Sequence, residues 1–165
     1  MQKDYVLRIV EQFIQLLLTI IRHRKAENYI EARKLIRNTG RYLLRTDLDL
    51  LLLYNPDQIL DHFKDLSNHL ETEKCVLAAD LFHELALIEE SEQQPAAALR
   101  LKILCLHLYT TAIPQEEQFQ KAPYFEKVDT LIQELKDLPL SENALASLLG
   151  YKKSIAIKKQ RILFN

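Results

Sequence analysis

The stretch ADLFHELALIEESEQQPAAALRLKILCLHLYTTA, residues 79–112, decides the fold of this 165-residue chain. Its apolar residues recur every three or four positions on both sides of a polar segment: Leu81, Phe82, Leu85 and Ile88 before it, and Leu99, Ile103, Leu106 and Tyr109 after it. This spacing is typical of amphipathic helices. Pro95 suits the first position of a helix, where its missing N–H has no intrahelical partner. The stretch therefore predicts two antiparallel helices joined by a short turn.

The same helical period continues over the rest of the chain. Asn55, Pro56 and Gln58 form the pattern of a capping box, in which a polar cap, a first-turn proline and a reaching glutamine start a helix. Further helices are expected at about 4–23, 27–44, 48–54, 56–70, 123–135 and 141–150, the last ending at Gly150. Connections this short favour antiparallel neighbours. We therefore expect one all-α domain over residues 1–165, built from helical hairpins with about six to seven helices.

The first helix has an unusually wide apolar stripe. Phe13, Leu17 and Ile20 lie on one side of it, and Leu18 and Ile21 widen it further. A helix that is apolar over so much of its circumference is normally covered on more than one side.

Glycine is scarce, because Gly40 and Gly150 are the chain's two glycines. Phosphate-binding loops need glycines where the backbone approaches the ligand, so a Walker loop and a dinucleotide fingerprint are both absent. Five histidines suggest a possible metal site. A di-metal site in a helical bundle, however, needs an acidic residue three positions before a histidine on each of two helices, and in this chain Asp80 and His83 are the one such pair. The two cysteines have apolar surroundings, typical of buried thiols. We expect no catalytic residues, no metal and no cofactor.

Residues 79–112 resemble one tetratricopeptide-type helical hairpin. That repeat needs small residues at three positions where its helices cross, and Ala86, Ala98 and Cys105 have the matching spacing. Glu89 and Lys102, by contrast, stand where the repeat is usually aromatic. Taken whole, the chain is similar to an uncharacterised bacterial family of small tetratricopeptide-like proteins, opening with DYVLRIVEQ and continuing through EARKLI. The resemblance implies a right-handed stack of hairpins and no catalytic residues.

The resemblance also implies a groove along the first helix of the hairpin. Its groove-facing residues would be Asp80, His83, Leu87, Glu90 and Ser91. This surface is acidic and partly apolar, so a basic or amphipathic peptide would suit it. The alternative is that the first helix or the C-terminal segment fills the groove from within the same chain.

The C-terminal segment 151–165 is a basic tail. Its cationic residues are Lys152, Lys153, Lys158, Lys159 and Arg161, and it has no acidic residue. Such a tail can contact phosphates, but the preceding helix-turn-helix pattern is out of phase, which makes nucleic-acid binding unlikely. Tyr151 and Ile155 also give the segment an apolar face that could dock on the domain or on a partner.

The sequence thus favours a non-catalytic interaction module that binds a protein or peptide partner or self-associates. The alternative is a nucleic-acid-associated regulator that uses the basic tail. The N-terminus lacks the pattern of a secretory signal, and the apolar run 13–21 is about half the length of a membrane span. We therefore expect a cytoplasmic protein with no transmembrane segment.

Overall fold

The computed structural model describes residues 2–164, and within them the chain is all-α. Its eight α-helices are α1 (Gln2–Lys25), α2 (Tyr29–Leu43), α3 (Leu48–Leu51), α4 (Pro56–His62), α5 (Thr72–Ser91), α6 (Pro95–Ala112), α7 (Ala122–Leu135) and α8 (Glu142–Phe164). Two 3₁₀ turns, Ile113–Gln115 and Glu117–Phe119, connect α6 to α7. The helices pack as antiparallel neighbours, as predicted. Their number is above the predicted total of about six to seven, although the predicted ranges already included the two shortest helices, α3 and α4.

The α5–α6 hairpin forms the centre of the domain. The Cys105 thiol donates to the carbonyl of Ala79 at 3.3 Å, and the Cys75 thiol lies 3.8 Å from the carbonyl of Leu108. From Cys75 to Ala79 the residue number on α5 increases, while from Leu108 to Cys105 the number of the contacted residue on α6 decreases, so the two helices are antiparallel. Ala86 and Ala98 are also buried. Small residues therefore line the contact between the helices, where bulky side chains would separate their backbones.

Helix α6 is largely buried within the fold. By length and composition alone the segment Pro95–Gln115 could cross a membrane, and it is the one such helix in the described part of the chain. In this fold, 67% of its apolar window is buried inside the domain. Its apolarity is therefore accounted for by contacts with the helices around it.

Helices α1 and α2 form a second hairpin that packs on α5. Gly40, inside α2, lies where the chain returns to begin α3. A Cβ at this position would lie 2.8 Å from Cγ of Leu48 and 3.2 Å from the carbonyl oxygen of Thr46. The glycine thus permits a close approach, and the approaching segment is the start of α3.

The α4 region confirms one prediction and corrects another. The Asn55 side chain accepts from the N–H of Gln58, and the Gln58 side chain accepts from the N–H of Asn55, which is the predicted capping box. The helix ends at His62, however, instead of at about residue 70. The Asp65 carboxylate accepts from two backbone N–H groups of the following loop, and this local alternative competes with helix.

The last helix was predicted to end at Gly150, but it continues through Phe164. Gly150 does not adopt a positive φ, so it does not act as a helix terminator. Tyr151 and Ile155 are buried directly after it. Their burial against the domain holds the segment as helix, so the predicted basic tail is the second half of α8. It docks on its own domain, one of the two alternatives the sequence allowed.

Candidate functional site

Asp80 is the centre of a buried polar cluster on α5. Its carboxylate is 1% exposed and accepts hydrogen bonds from the hydroxyls of Tyr109 on α6 and Tyr124 on α7, the latter at 2.7 Å. The ammonium group of Lys127 on α7 lies 3.0 Å from the same carboxylate. Burial and the neighbouring carboxylate raise the pKa of both tyrosines, so both hydroxyls are protonated donors. Asp80 thus joins three helices and is not available to line an open groove.

His83 lies one turn further along α5, between α1 and α7. Its side chain is partly exposed, but its Nδ1 atom is buried and has no hydrogen-bond partner among the described residues. Burial, together with the positive charge of Lys127, lowers the pKa of His83 to about 4. The imidazole is therefore neutral at physiological pH. Leu87, the next predicted groove residue, is partly exposed on the same side of α5.

The end of this α5 face is occupied by ion pairs. Glu90 is bound by the ammonium group of Lys102 on α6, which also contacts Glu134 on α7 at 2.6 Å. Burial would lower the pKa of Lys102, but its hydrogen bonds with Glu134 and Glu90 outweigh that effect and raise it. The exposed Ser91 hydroxyl donates to the carbonyl of Leu87 at 3.0 Å. The charge that the sequence placed in an acidic groove is largely balanced by lysines of the same chain.

Helix α1 lies on the other side of this face of α5. Arg24 of α1 forms an ion pair with the buried Glu84 at 2.5 Å. Helix α7 is held to the same helix through Lys127 and Asp80. The face of α5 that carries His83 and Leu87 is thus bordered by α1 and α7. Neither the first helix nor the C-terminal segment covers Asp80, which instead is covered by α6 and α7.

The predicted second cover of α1 is not provided by the part of the chain that the structure describes. Phe13 and Ile20 are buried, as predicted, but Leu7, Ile14 and Leu18 are 44–47% exposed. We call these three residues, with the partly exposed Val10, Leu17 and Ile21, the α1 apolar stripe. The sequence contained the signal for this surface, namely a stripe too wide for one neighbour. The sequence alone could not show which side of α1 the other helices would leave exposed.

The basic residues of α8 divide into two groups. Lys158 donates to the Gln120 side chain at 2.6 Å, and Lys159 contacts both carboxylate oxygens of Asp129 at 2.9 Å. The other three predicted tail residues are exposed on the helix: Lys152, Lys153 and Arg161. The structure therefore does not bring the five cations together on one free segment.

The two cysteines and His107 are buried in the core of the domain. Burial raises the pKa of the Cys75 and Cys105 thiols well above the ordinary range, so neither is a thiolate nucleophile. The buried His107 lies 3.2 Å from Asp57, and burial lowers its pKa while Asp57 acts in the opposite direction. In the part of the chain that the structure describes, no three His, Cys, Asp or Glu residues are grouped to hold a metal ion.

Comparison with protein-family models, with curated protein sequences and with solved structures finds no match to this chain.

Proposed function

We propose that this protein is a non-catalytic helical interaction module that recognises a protein surface or a second copy of itself through the α1 apolar stripe. One observation carries the proposal. The acidic residues Asp80, Glu84 and Glu90 of α5 are paired with cations of the same chain. By contrast, Leu7, Ile14 and Leu18 of α1 are left about half exposed along one side of the helix. Contiguous exposed apolar surface is typical of partner-binding sites.

The proposal includes a finer architecture of two tetratricopeptide-like hairpins, α1–α2 and α5–α6, as the family resemblance implies, with α7 and α8 as irregular flanking helices that pack on α6. The buried small residues Ala86, Ala98 and Cys105 support it, since they allow the two central helices to approach closely. In such a stack α1 and α5 would share one face. The α1 apolar stripe would then form one wall of the surface that carries His83 and Leu87.

A capture experiment tests the proposed function. Immobilised full-length protein should retain a specific partner or a second copy, and the substitution Leu18→Lys should abolish that retention. Ile157→Lys is the matched control, because Ile157 is 61% exposed on α8, away from α1. Equal retention by the two variants would contradict the proposal, and so would failure of the unmodified protein to retain either a partner or a second copy.

The nucleic-acid alternative can be tested with the same protein. It requires the exposed cations Lys152, Lys153 and Arg161 to contact phosphates, so binding should weaken steeply as salt rises. Replacing these three residues with glutamine should abolish retention of a mixed-sequence DNA or RNA duplex. Unchanged retention, or the absence of any retention at low salt, would end this alternative.

A further inference from the structure

The outer side of α8 carries basic and apolar residues along one line. Tyr151 and Ile155 are buried against the domain. Each residue turns an α-helix by about 100°, so a side chain two positions away points to the opposite side. Leu149, Lys153 and Ile157 each lie two positions from a buried residue, and all are exposed. They follow one another at intervals of one helical turn, which places them in one row that faces away from the domain.

Exposed residues beside this row complete the surface. Lys152 lies on one side of the row and Arg161 on the other, and Leu145 extends it toward the start of the helix. The apolar members of the surface are 45–61% exposed. We call this surface the α8 outer face, and its members are Leu145, Leu149, Lys152, Lys153, Ile157 and Arg161. At the rise of an α-helix it is about 24 Å long.

The charge of the α8 outer face has one sign. The chain as a whole has a net charge of −1, but residues 143–161 contain five cationic side chains and no acid. The cations of the α8 outer face belong to none of the ion pairs formed among the described residues. Of the acids beside α8, Asp129 on α7 is already paired with Lys159. Glu142 lies in the first turn of α8, about 15 Å before Lys152 along the helix. The face is therefore positive as well as apolar.

An anionic bilayer surface satisfies both kinds of side chain on this face. Basic residues near a membrane are attracted to anionic headgroups, and apolar residues on the same side of a surface helix enter the boundary between headgroups and acyl chains. A nucleic acid would satisfy the cations alone, because Leu149 and Ile157, on either side of Lys153, would meet phosphate groups. The face is also convex, since it is the outer side of one helix. A protein partner would need a matching groove, whereas lipid headgroups rearrange around such a surface.

The geometry points to a lipid surface as the occupant: we propose that this protein binds peripherally to bilayers that contain anionic lipid, through the α8 outer face, with α8 parallel to the membrane plane. Leu149 and Ile157 are about 12 Å apart along the helix and enter the bilayer together, one turn on each side of Lys153. Lys152 and Arg161 contact headgroup phosphates on either side of the row. The inference goes beyond the proposed function, because it concerns a different surface from the α1 apolar stripe.

Tryptophan fluorescence tests whether the face enters a bilayer. The chain has no tryptophan, so Ile157→Trp and Ile30→Trp each introduce a single reporter. Ile30, which is 81% exposed on α2, is the matched control. With vesicles of phosphatidylcholine containing about 30% phosphatidylglycerol, the emission of Ile157→Trp should shift to shorter wavelength, because the indole leaves water. Vesicles of phosphatidylcholine alone should cause no shift, and Ile30→Trp should show none with either. Absence of the shift in Ile157→Trp, or an equal shift in Ile30→Trp, overturns the inference.

Co-sedimentation with the same anionic vesicles measures the contribution of the cations. Lys152→Gln/Lys153→Gln should weaken binding about thirtyfold, since each cation near an anionic surface contributes about fivefold. Raising the salt concentration to about 0.5 M should weaken binding of the unmodified protein, because salt screens the attraction. Binding that is unchanged by both treatments would contradict the charge argument.

The same assay measures the contribution of the apolar residues. Leu149→Gln/Ile157→Gln should weaken vesicle binding by at least about tenfold, because it removes the side chains that leave water. Ile30→Gln/Tyr42→Gln, which replaces two exposed apolar residues of α2, is the matched control and should bind as the unmodified protein does. Circular dichroism establishes that the variants are folded.

The remaining outcomes separate a lipid surface from other occupants. Full vesicle binding by Leu149→Gln/Ile157→Gln would show that the cations alone hold a polyanion, which contradicts insertion of the face. Equal binding to vesicles of phosphatidylcholine alone, or no binding to anionic vesicles at low salt, overturns the inference. Leu18→Gln on α1 should leave vesicle binding unchanged, and a loss there would place the contact on α1 instead of α8. Vesicle binding and capture of a partner through α1 are thus independent results, so failure of one leaves the other standing.

Discussion

The two glycines provide a matched pair of substitutions with opposite expected effects. Gly150 lies inside α8, and nothing in the described part of the chain is within 4 Å of the place where a Cβ would be added. Alanine there should gain helix propensity, so Gly150→Ala should stabilise the protein by about 0.5–1 kcal/mol. Gly40 lies inside α2 and would gain the same propensity. Its new methyl group, however, would meet Leu48.

The magnitude at Gly40 follows from that contact. The added Cβ would lie 2.8 Å from Cγ of Leu48 and 3.2 Å from the Thr46 carbonyl, which belongs to the backbone. Leu48 is 2% exposed, and the N–H of Thr46 donates to the carbonyl of Gly40. Relief would therefore require the start of α3 to move away from α2. Overpacking of this kind costs about 1–3 kcal/mol, so the net effect of Gly40→Ala should be a loss of about 1–2 kcal/mol.

Urea unfolding followed by circular dichroism measures both variants. The midpoint should fall for Gly40→Ala and rise for Gly150→Ala, with similar slopes. The double variant Gly40→Ala/Leu48→Ala is the control, because removing most of the Leu48 side chain should make the two losses less than additive. The reasoning fails if both alanines change stability in the same direction, or if the losses at positions 40 and 48 simply add.

Three further predictions concern the polar core and the last helix. Asp80→Ala should lower the free energy of unfolding by about 3–5 kcal/mol, because it leaves the buried Tyr109 hydroxyl and a lysine unpaired; Tyr124→Phe, measured in the same urea titration, should cost only about 1 kcal/mol. The pKa of His83 is about 4 when folded and about 6.5 when unfolded, so the unfolded state binds more protons between these values. Stability should therefore be lost as pH falls from about 6.5 to 4, by up to about 3 kcal/mol, and His83→Gln should remove that dependence. Ile155→Ala should cost about 2–4 kcal/mol and increase hydrogen exchange along α8 if the segment is docked as described; unchanged exchange would contradict the docking.

The sequence predicted the elements whose signals are local. The capping box at Asn55 involves residues three positions apart, and its geometry is as expected. The α5–α6 hairpin follows from apolar period and from Pro95, and Ala86 and Cys105 are buried as their small size suggested. Such features depend on neighbours along the chain, and the information for them lies within a few residues.

Errors arose in the predicted ends of helices. At Gly150 a long-range contact outweighed the local sequence signal. Gly150 has the composition of a helix terminator, but the burial of Tyr151 and Ile155 against the domain continues α8 beyond it. The predicted extension of α4 to residue 70 failed for a local reason instead, because the Asp65 carboxylate accepts hydrogen bonds from the backbone N–H groups of Ser67 and His69. Burial of large apolar side chains exceeds the cost of one glycine in a helix, and that comparison requires knowing which surfaces meet.

The candidate site on α5 also depends on contacts between residues far apart in sequence, which the sequence alone did not reveal. The sequence placed acids on one face of α5 but could not show that Lys102 and Lys127 balance Glu90 and Asp80 from other helices. Pairing of this kind connects residues far apart in sequence, such as Arg24 and Glu84, which are 60 positions apart. A face that was expected to attract a basic peptide is consequently satisfied within the domain.

This internal pairing changes what kind of recognition the molecule supports. Ions that already have partners contribute little to a new interface, because a binding partner would have to displace them and desolvate them. Exposed apolar side chains have no such competitor, and each gains free energy when it is covered. The surface that we propose for association is therefore an apolar one that the described part of the chain leaves uncovered. On α1, Leu7, Ile14 and Leu18 provide that surface, and the charged residues beside them are better suited to fixing the orientation of a partner than to holding it.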